Sequence, residues 1–172
     1  VNLSDMAAMG ATPRWFTLAL TLPSADESWL SAFSSTLLAQ ADEFGCQLVG
    51  GDTTAGPLCL SLTIMGSIPD GGGLRRDGAS PEDFIYVTGC LGDAAAALSL
   101  IKGDPAPARI GPDESEYLHQ RFYQPTPRLT EGRKLLPVAS AAVDVSDGLL
   151  ADLGHIANRS NVASEIFVDQ LP

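Results

Sequence analysis

The chain has 172 residues, 45% of them hydrophobic and 18% charged, enough for one domain or parts of two around a packed core rather than a disordered segment. A net charge of −11 with only ten Lys and Arg disfavours a nucleic-acid backbone as partner, while acidity suits metal binding or simple solubility. No apolar run approaches the ~18 residues that span a bilayer, so neither membrane insertion nor secretion is expected.

Asn2-Leu3-Ser4-Asp5-Met6-Ala7-Ala8-Met9 reads as a short helix closed by Gly10, with Asp5 in its first turn as a dipole partner or a ligand. From Trp15 to Leu22 the residues Phe16, Leu18, Leu20 and Leu22 alternate with Trp15, Thr17, Ala19 and Thr21, a half-buried strand. Ser24-Ala25-Asp26-Glu27 is a capping box, and Trp29, Leu30, Phe33, Leu37, Ala41 and Phe44 mark the core face of the helix it starts. Gln47-Leu48-Val49 predicts a short strand that breaks into the turn Gly50-Gly51-Asp52-Thr53-Thr54, before Leu58, Leu60, Leu62 and Ile64 resume another. Glycines there would let the backbone cup a phosphate, and Asp52 offers a metal ligand; a plain Gly-Asp turn explains the same residues.

The break Asp70–Gly73 divides the chain into expected domains at 1–72 and 73–172, and Arg75 and Arg76 after it could pair with a nucleotide phosphate or stay solvated. Phe84 to Thr88 predicts a strand leading through Gly89 and Gly92 into a helix over 94–101, then a polar loop over 102–112 and a helix over 114–122. Gln124 to Arg128 starts a further helix, and 165–168 predicts a last strand. Cys46, Cys59 and Cys90 form no Cys-x-x-Cys pair and read as reduced core residues of a cytoplasmic protein. Val1 in place of Met and the stop at Leu171-Pro172 suggest a piece of a longer chain.

The chemistry gathers in Val143-Asp144-Val145-Ser146-Asp147-Gly148-Leu149, between a predicted strand over 141–145 and a helix marked by Leu149, Leu153 and Ile156. A turn feeding a helix presents unpaired N–H groups that suit phosphate oxygens. Asp144 and Asp147 suit Mg²⁺, Ser146 can reach a phosphate, and Gly148 permits close backbone approach. Helix capping by Ser146 or Asp147 is the simpler use of the same residues. No nucleophile elbow, Walker loop or zinc spacing occurs, so no residue is assigned as catalytic base or nucleophile, and metal-assisted phosphoryl transfer is the reaction class left.

Val1 to Ala11, Gly50-Gly51-Asp52-Thr53-Thr54, Arg76-Asp77-Gly78-Ala79, Pro125-Thr126-Pro127-Arg128, Asp144-Val145-Ser146-Asp147-Gly148-Leu149 and Asp152-Leu153-Gly154-His155-Ile156 follow in one order that resembles the thiamine-monophosphate kinase family. The resemblance implies an α/β fold of two domains, both incomplete here, of the aminoimidazole-ribonucleotide-synthetase-like kind, which bind nucleotide between them and dimerise through their N-terminal domains. It implies ATP-dependent phosphorylation of thiamine monophosphate to thiamine diphosphate with several Mg²⁺ ions. Residue by residue, Asp5, Asp52, Asp144 and Asp147 match the family's metal ligands, and Gly51, Asp52, Arg76 and Ser146 its ATP contacts. Segments that the family carries before Val1 and after Pro172 are absent, so the chain alone is expected to bind weakly and turn over slowly. Pro81-Glu82-Asp83 also departs from the family, where glycine is usual in the middle. The rivals are other ATP-using members of the superfamily and a non-catalytic nucleotide-binding or assembly module.

Overall fold

The computed structural model describes residues 1–104 and 110–172, so part of the loop expected over 102–112 lies outside the described residues. Two compact units result. The first comprises Asn2–Gly73 with Leu129–Pro137; the second comprises Leu74–Arg128 and Val138–Pro172, together with Val1.

In the first unit, helix α1 (Asn2–Ala8) leads into strand β1 (Thr12–Leu22), which starts earlier than its alternation indicates. Helix α2 (Glu27–Glu43) crosses to β2 (Gln47–Ala55), and β3 (Cys59–Ser67) follows. β1 is the middle strand of the order β2-β1-β3, parallel to β2 and antiparallel to β3. A parallel pair needs a crossover, and α2 supplies it. Asp26, rather than a box begun by Ser24, caps α2: its carboxylate accepts the N–H of Ser28 and Trp29 at 2.9 and 3.1 Å. A bond from the Ser28 hydroxyl, followed by these two backbone bonds, holds the Asp26 carboxyl below its ordinary range.

The core of this unit is Phe16, Ala41 and Cys46, with Leu37, Leu62 and Ile64 packed against them. Trp29 and Phe33, expected in the core, are only half-buried and stack on each other with ring centroids 5.0 Å apart. Cys59 and Cys90, also expected inside, are exposed; only Cys46 is buried, and burial raises its thiol pKa.

The expected turn at Gly50–Thr54 is instead the body of β2. Gly50 to Ala55 pair with Thr17 to Leu22, after a register shift at Phe16/Thr17 that makes Val49 the extra residue of β2. β1 offers this segment a backbone partner, and the ladder outweighs the turn preference of its glycines. Gly51 sits where β2 comes closest to β1: a Cβ there would lie 1.9 Å from the Leu18 carbonyl oxygen, and φ is +152°. The third helix of this unit, α5 (Leu129–Leu135), lies with Gly132 against the backbone of Ala7 in α1, a contact 125 residues apart that no local pattern announces.

The second unit holds α3 (Asp93–Lys102), α4 (Pro112–Tyr123), α6 (Leu149–Ser160) and a 3₁₀ turn over Val168–Gln170. Asp93 in the first turn of α3 accepts the Tyr117 hydroxyl at 2.9 Å and the Arg121 Nε–H at 3.2 Å, clipping α3 to α4, and Ala97 of α3 is fully buried. The neighbouring carboxylate raises the Tyr117 phenol pKa. No strand forms here among the described residues, in contrast to the expectation at 84–88, 141–145 and 165–168. These stretches have the composition of strands but no ladder neighbour, and Phe84 and Tyr86 are each 86% exposed. One bond, from the Ala142 N–H to the Arg75 carbonyl at 3.0 Å, holds 141–145 beside the segment after Leu74.

Gly51→Ala is expected to lower the urea midpoint by the equivalent of roughly 1–3 kcal/mol, because the new methyl has backbone to displace. Gly50→Ala, whose Cβ meets only a Thr17 methyl at 4.0 Å, is the matched control and should move it little. Equal effects would show that β2 does not lie against β1 in this register.

Candidate active site

Five of the seven sequence-derived positions fall in two local groups. On β2, Gly51 and Asp52 stand opposite Leu18 and Ala19. Gly51 is engaged by its close approach to β1, so its backbone role is structural here, whereas Asp52 is exposed and its carboxylate accepts the N–H of Thr53 at 2.8 Å. Next to it the Thr54 and Thr21 hydroxyls meet at 2.9 Å. Asp5 belongs to the same unit, exposed in the first turn of α1.

The second group is the loop 144–148. Its glycine, Gly148, is the N-cap of α6 with φ +112° and ψ 155°, a backbone state essentially reserved for glycine. A Cβ at Gly148 would meet nothing within 4 Å, so conformation rather than close approach requires glycine. Neither Ser146 nor Asp147 caps the helix with its side chain. The expected reserve of unpaired turn amides is also absent: the N–H groups of Ser146, Asp147 and Gly148 donate to one oxygen, Asp152 Oδ2, at 2.9, 3.0 and 3.1 Å. Asp152 is 3% exposed, the one buried charged residue among those described. Sequence reasoning passed over it except within a family motif; an acid in the first turn of a helix was the available signal, and its burial was not legible.

Arg76 reaches this loop. Its Nη2 lies 4.0 Å from Asp144 Oδ1, with the Arg76 side chain half exposed and that of Asp144 12% exposed. Arg75 instead forks onto its neighbour Asp77 at 2.6 and 2.8 Å and holds that carboxyl below its usual range. The 76–79 segment is fixed from the far end of α6, where the Ser160 hydroxyl donates to the Arg76 carbonyl and accepts the Ala79 N–H, each at 3.1 Å. A guanidinium, a group that can fork onto a phosphate, thus stands beside a carboxylate on a scaffold pinned at both ends of one helix.

Asp144, Ser146 and Asp147 present hard oxygen donors, the kind Mg²⁺ takes. Among the described residues no three His, Cys, Asp or Glu side chains gather to hold a metal ion. That does not conflict with Mg²⁺, which commonly uses one or two carboxylates and completes its shell with waters and substrate phosphates. Neither histidine offers a base: His155 is exposed, and His119 Nδ1 is 2.7 Å from the Ser115 carbonyl one turn back in α4.

Residues 1–68 match the family described as AIR synthase related protein, N-terminal domain. The thiamine-monophosphate kinase of Salmonella typhimurium is 52% identical over all of this chain and 52% of its own length. A crystal structure of thiamine-monophosphate kinase from Stenotrophomonas maltophilia K279a superposes with a TM-score of 0.91 at 53% identity, over 99% of this chain and 54% of that one. AaThiL complexed with AMPPCP and TMP matches with a TM-score of 0.83 at 32% identity, over 93% of this chain and 51% of that one. The chain therefore spans about half the length of the relatives it matches.

The departure at Pro81-Glu82-Asp83 now has a structural content. Glu82 has φ +73°, the left-handed state that costs a side-chain-bearing residue about 1–2 kcal/mol. The turn is held by the Asp83 carboxylate, which accepts the Ser80 N–H at 2.8 Å and the Ser140 hydroxyl at 2.5 Å. Glu82→Gly should leave stability unchanged or raise it by up to about 1 kcal/mol in thermal melts, reversing the usual penalty of glycine. A loss of that size would mean the left-handed turn is not populated.

Proposed function

We propose, from its similarity to thiamine-monophosphate kinases, that this chain is part of such a kinase, whose activity is transfer of the γ-phosphoryl group of ATP to thiamine monophosphate, giving thiamine diphosphate and ADP. The observation that carries this reading is the match, over 93% of the chain, to a relative solved with AMPPCP and TMP, one of them a triphosphate analogue and the other read here as the phosphate acceptor.

The chemistry asks little covalent work of the protein. A substrate phosphate oxygen is already anionic near neutral pH and attacks the γ-phosphorus in line as its bond to the β-phosphate oxygen breaks and ADP leaves, so no strong side-chain base is required. What must be supplied is positioning and neutralisation of two anions that otherwise repel in a low-dielectric site. Asp5, Asp52, Asp144 and Asp147 are the proposed Mg²⁺ ligands, and Mg²⁺ when bound would neutralise phosphate charge and orient the triphosphate. Arg76 is the proposed phosphate partner, with its fork already beside Asp144. Ser146 is left to act through its hydroxyl, since its N–H is engaged by Asp152. Gly51 would serve the nucleotide by keeping the β2 backbone low in front of Asp52.

We further propose a cytoplasmic homodimer. Exposed apolar residues on the edge strands, Leu48 and Val49 on β2 and Leu60 and Met65 on β3, support the association. A reduced compartment suits the three free cysteines, and no helix among the described residues is long and apolar enough to cross a membrane.

Calorimetry of the chain with ATP and Mg²⁺, repeated on Asp144→Asn and Asp52→Asn, tests the assignment. The expected result is at least about tenfold weaker Mg²⁺-dependent ATP binding in each variant. Parental binding in both would remove these carboxylates from the site and favour a non-catalytic module.

A further inference from the structure

We propose that Asp152 is a positioning residue that converts the 144–148 loop from a phosphate-binding turn into a cation-binding one. The inference rests on the reading of the loop as part of the Mg²⁺–ATP site, and it names how that site is tuned.

Three consecutive backbone N–H groups converging on one point form the kind of concavity that in other proteins holds a phosphate oxygen. Here the point is occupied from within. Asp152 Oδ2 receives the N–H groups of Ser146, Asp147 and Gly148 within 3.1 Å, and the Asp152 N–H returns a bond to the Gly148 carbonyl at 3.0 Å. Side chain and main chain of one residue thereby close the loop onto the first turn of α6. The Gly148 backbone, at φ +112°, belongs to the same closed arrangement.

Two consequences follow for binding. The turn amides are withdrawn from any external phosphate, so an anion has little to hold here except through Arg76 and the Ser146 hydroxyl. At the same time the backbone that carries Asp144 and Asp147 is fixed, and a buried carboxylate lies directly behind it. Both effects favour a divalent cation at the loop and disfavour a bare triphosphate. Asp152 thus acts on the nucleotide only through the groups it holds, as an outer-shell partner does at a metal site.

The test uses the ratio of ATP affinities measured with and without Mn²⁺ on the full chain. In Asp152→Ala the affinity with Mn²⁺ should fall at least about tenfold, while the affinity without metal stays the same or rises because three amides are released. Asp152→Asn keeps an oxygen that can accept the same N–H groups, so its ratio should lie between those of the parent and the alanine variant. It also decides the matter if the alanine variant does not fold. A purely structural role would lower both affinities together, and that result, or a parental ratio in both Asp152 variants, overturns the proposal. If Asp144→Asn abolishes the metal dependence while the Asp152 variants keep it, only this inference fails. A parent chain with no metal dependence at all overturns the inference and the underlying reading alike.

Discussion

The oxygen of Asp152 that collects three successive amides is the constraint on which the 144–148 loop depends. Without an acceptor those N–H groups would turn to solvent or to a ligand, and the glycine-hinged passage into α6 would have no preferred shape. With it, the same short stretch offers oxygen donors from Asp144, Ser146 and Asp147. Arg76 stands by from a segment that the Ser160 hydroxyl ties to the other end of the same helix. One amphipathic helix therefore organises both the acidic and the basic side of the loop.

The first unit obeys a different constraint. β1 is paired on both sides, and β2 approaches it so closely at Leu18 that only glycine fits at position 51. Asp52 follows immediately, which places its carboxylate on an extended, ladder-bound backbone rather than on a loop tip. A side chain on a strand has less freedom than one on a turn, which suits the positioning role proposed for Asp52.

Much of this was readable in the residues. The helices α1, α2 and α6 followed from caps and 3.6-residue spacing, and β1 from strict alternation, because local patterns fix local elements. The stretches at 50–54 and 144–148 stood out by their crowded carboxylates, hydroxyls and glycines, and the structure keeps the residues of each stretch together as a local group. What failed was non-local. Gly50-Gly51 carries the signature of a turn, and only the partner strand β1 makes it a strand. The strand-like runs at 84–88 and 141–145 carry the converse signature and find no ladder among the described residues. Asp152 looked like one more acid in a first helical turn, and its burial depends on how the loop folds back over it. The packing of Gly132 on Ala7 joins residues too distant for any periodicity to connect.

The most direct measurement is the anomalous scattering of Mn²⁺ in crystals of the chain grown with a non-hydrolysable ATP analogue. The account predicts manganese bound by a carboxylate oxygen of Asp144 or Asp147 at about the distance Mg²⁺ adopts, roughly 2.0–2.2 Å, with Asp152 Oδ2 still holding its three amides and not ligating the metal. Manganese bound away from both carboxylates, or a phosphate oxygen seated on the amides of Ser146, Asp147 and Gly148 in place of Asp152, would contradict it.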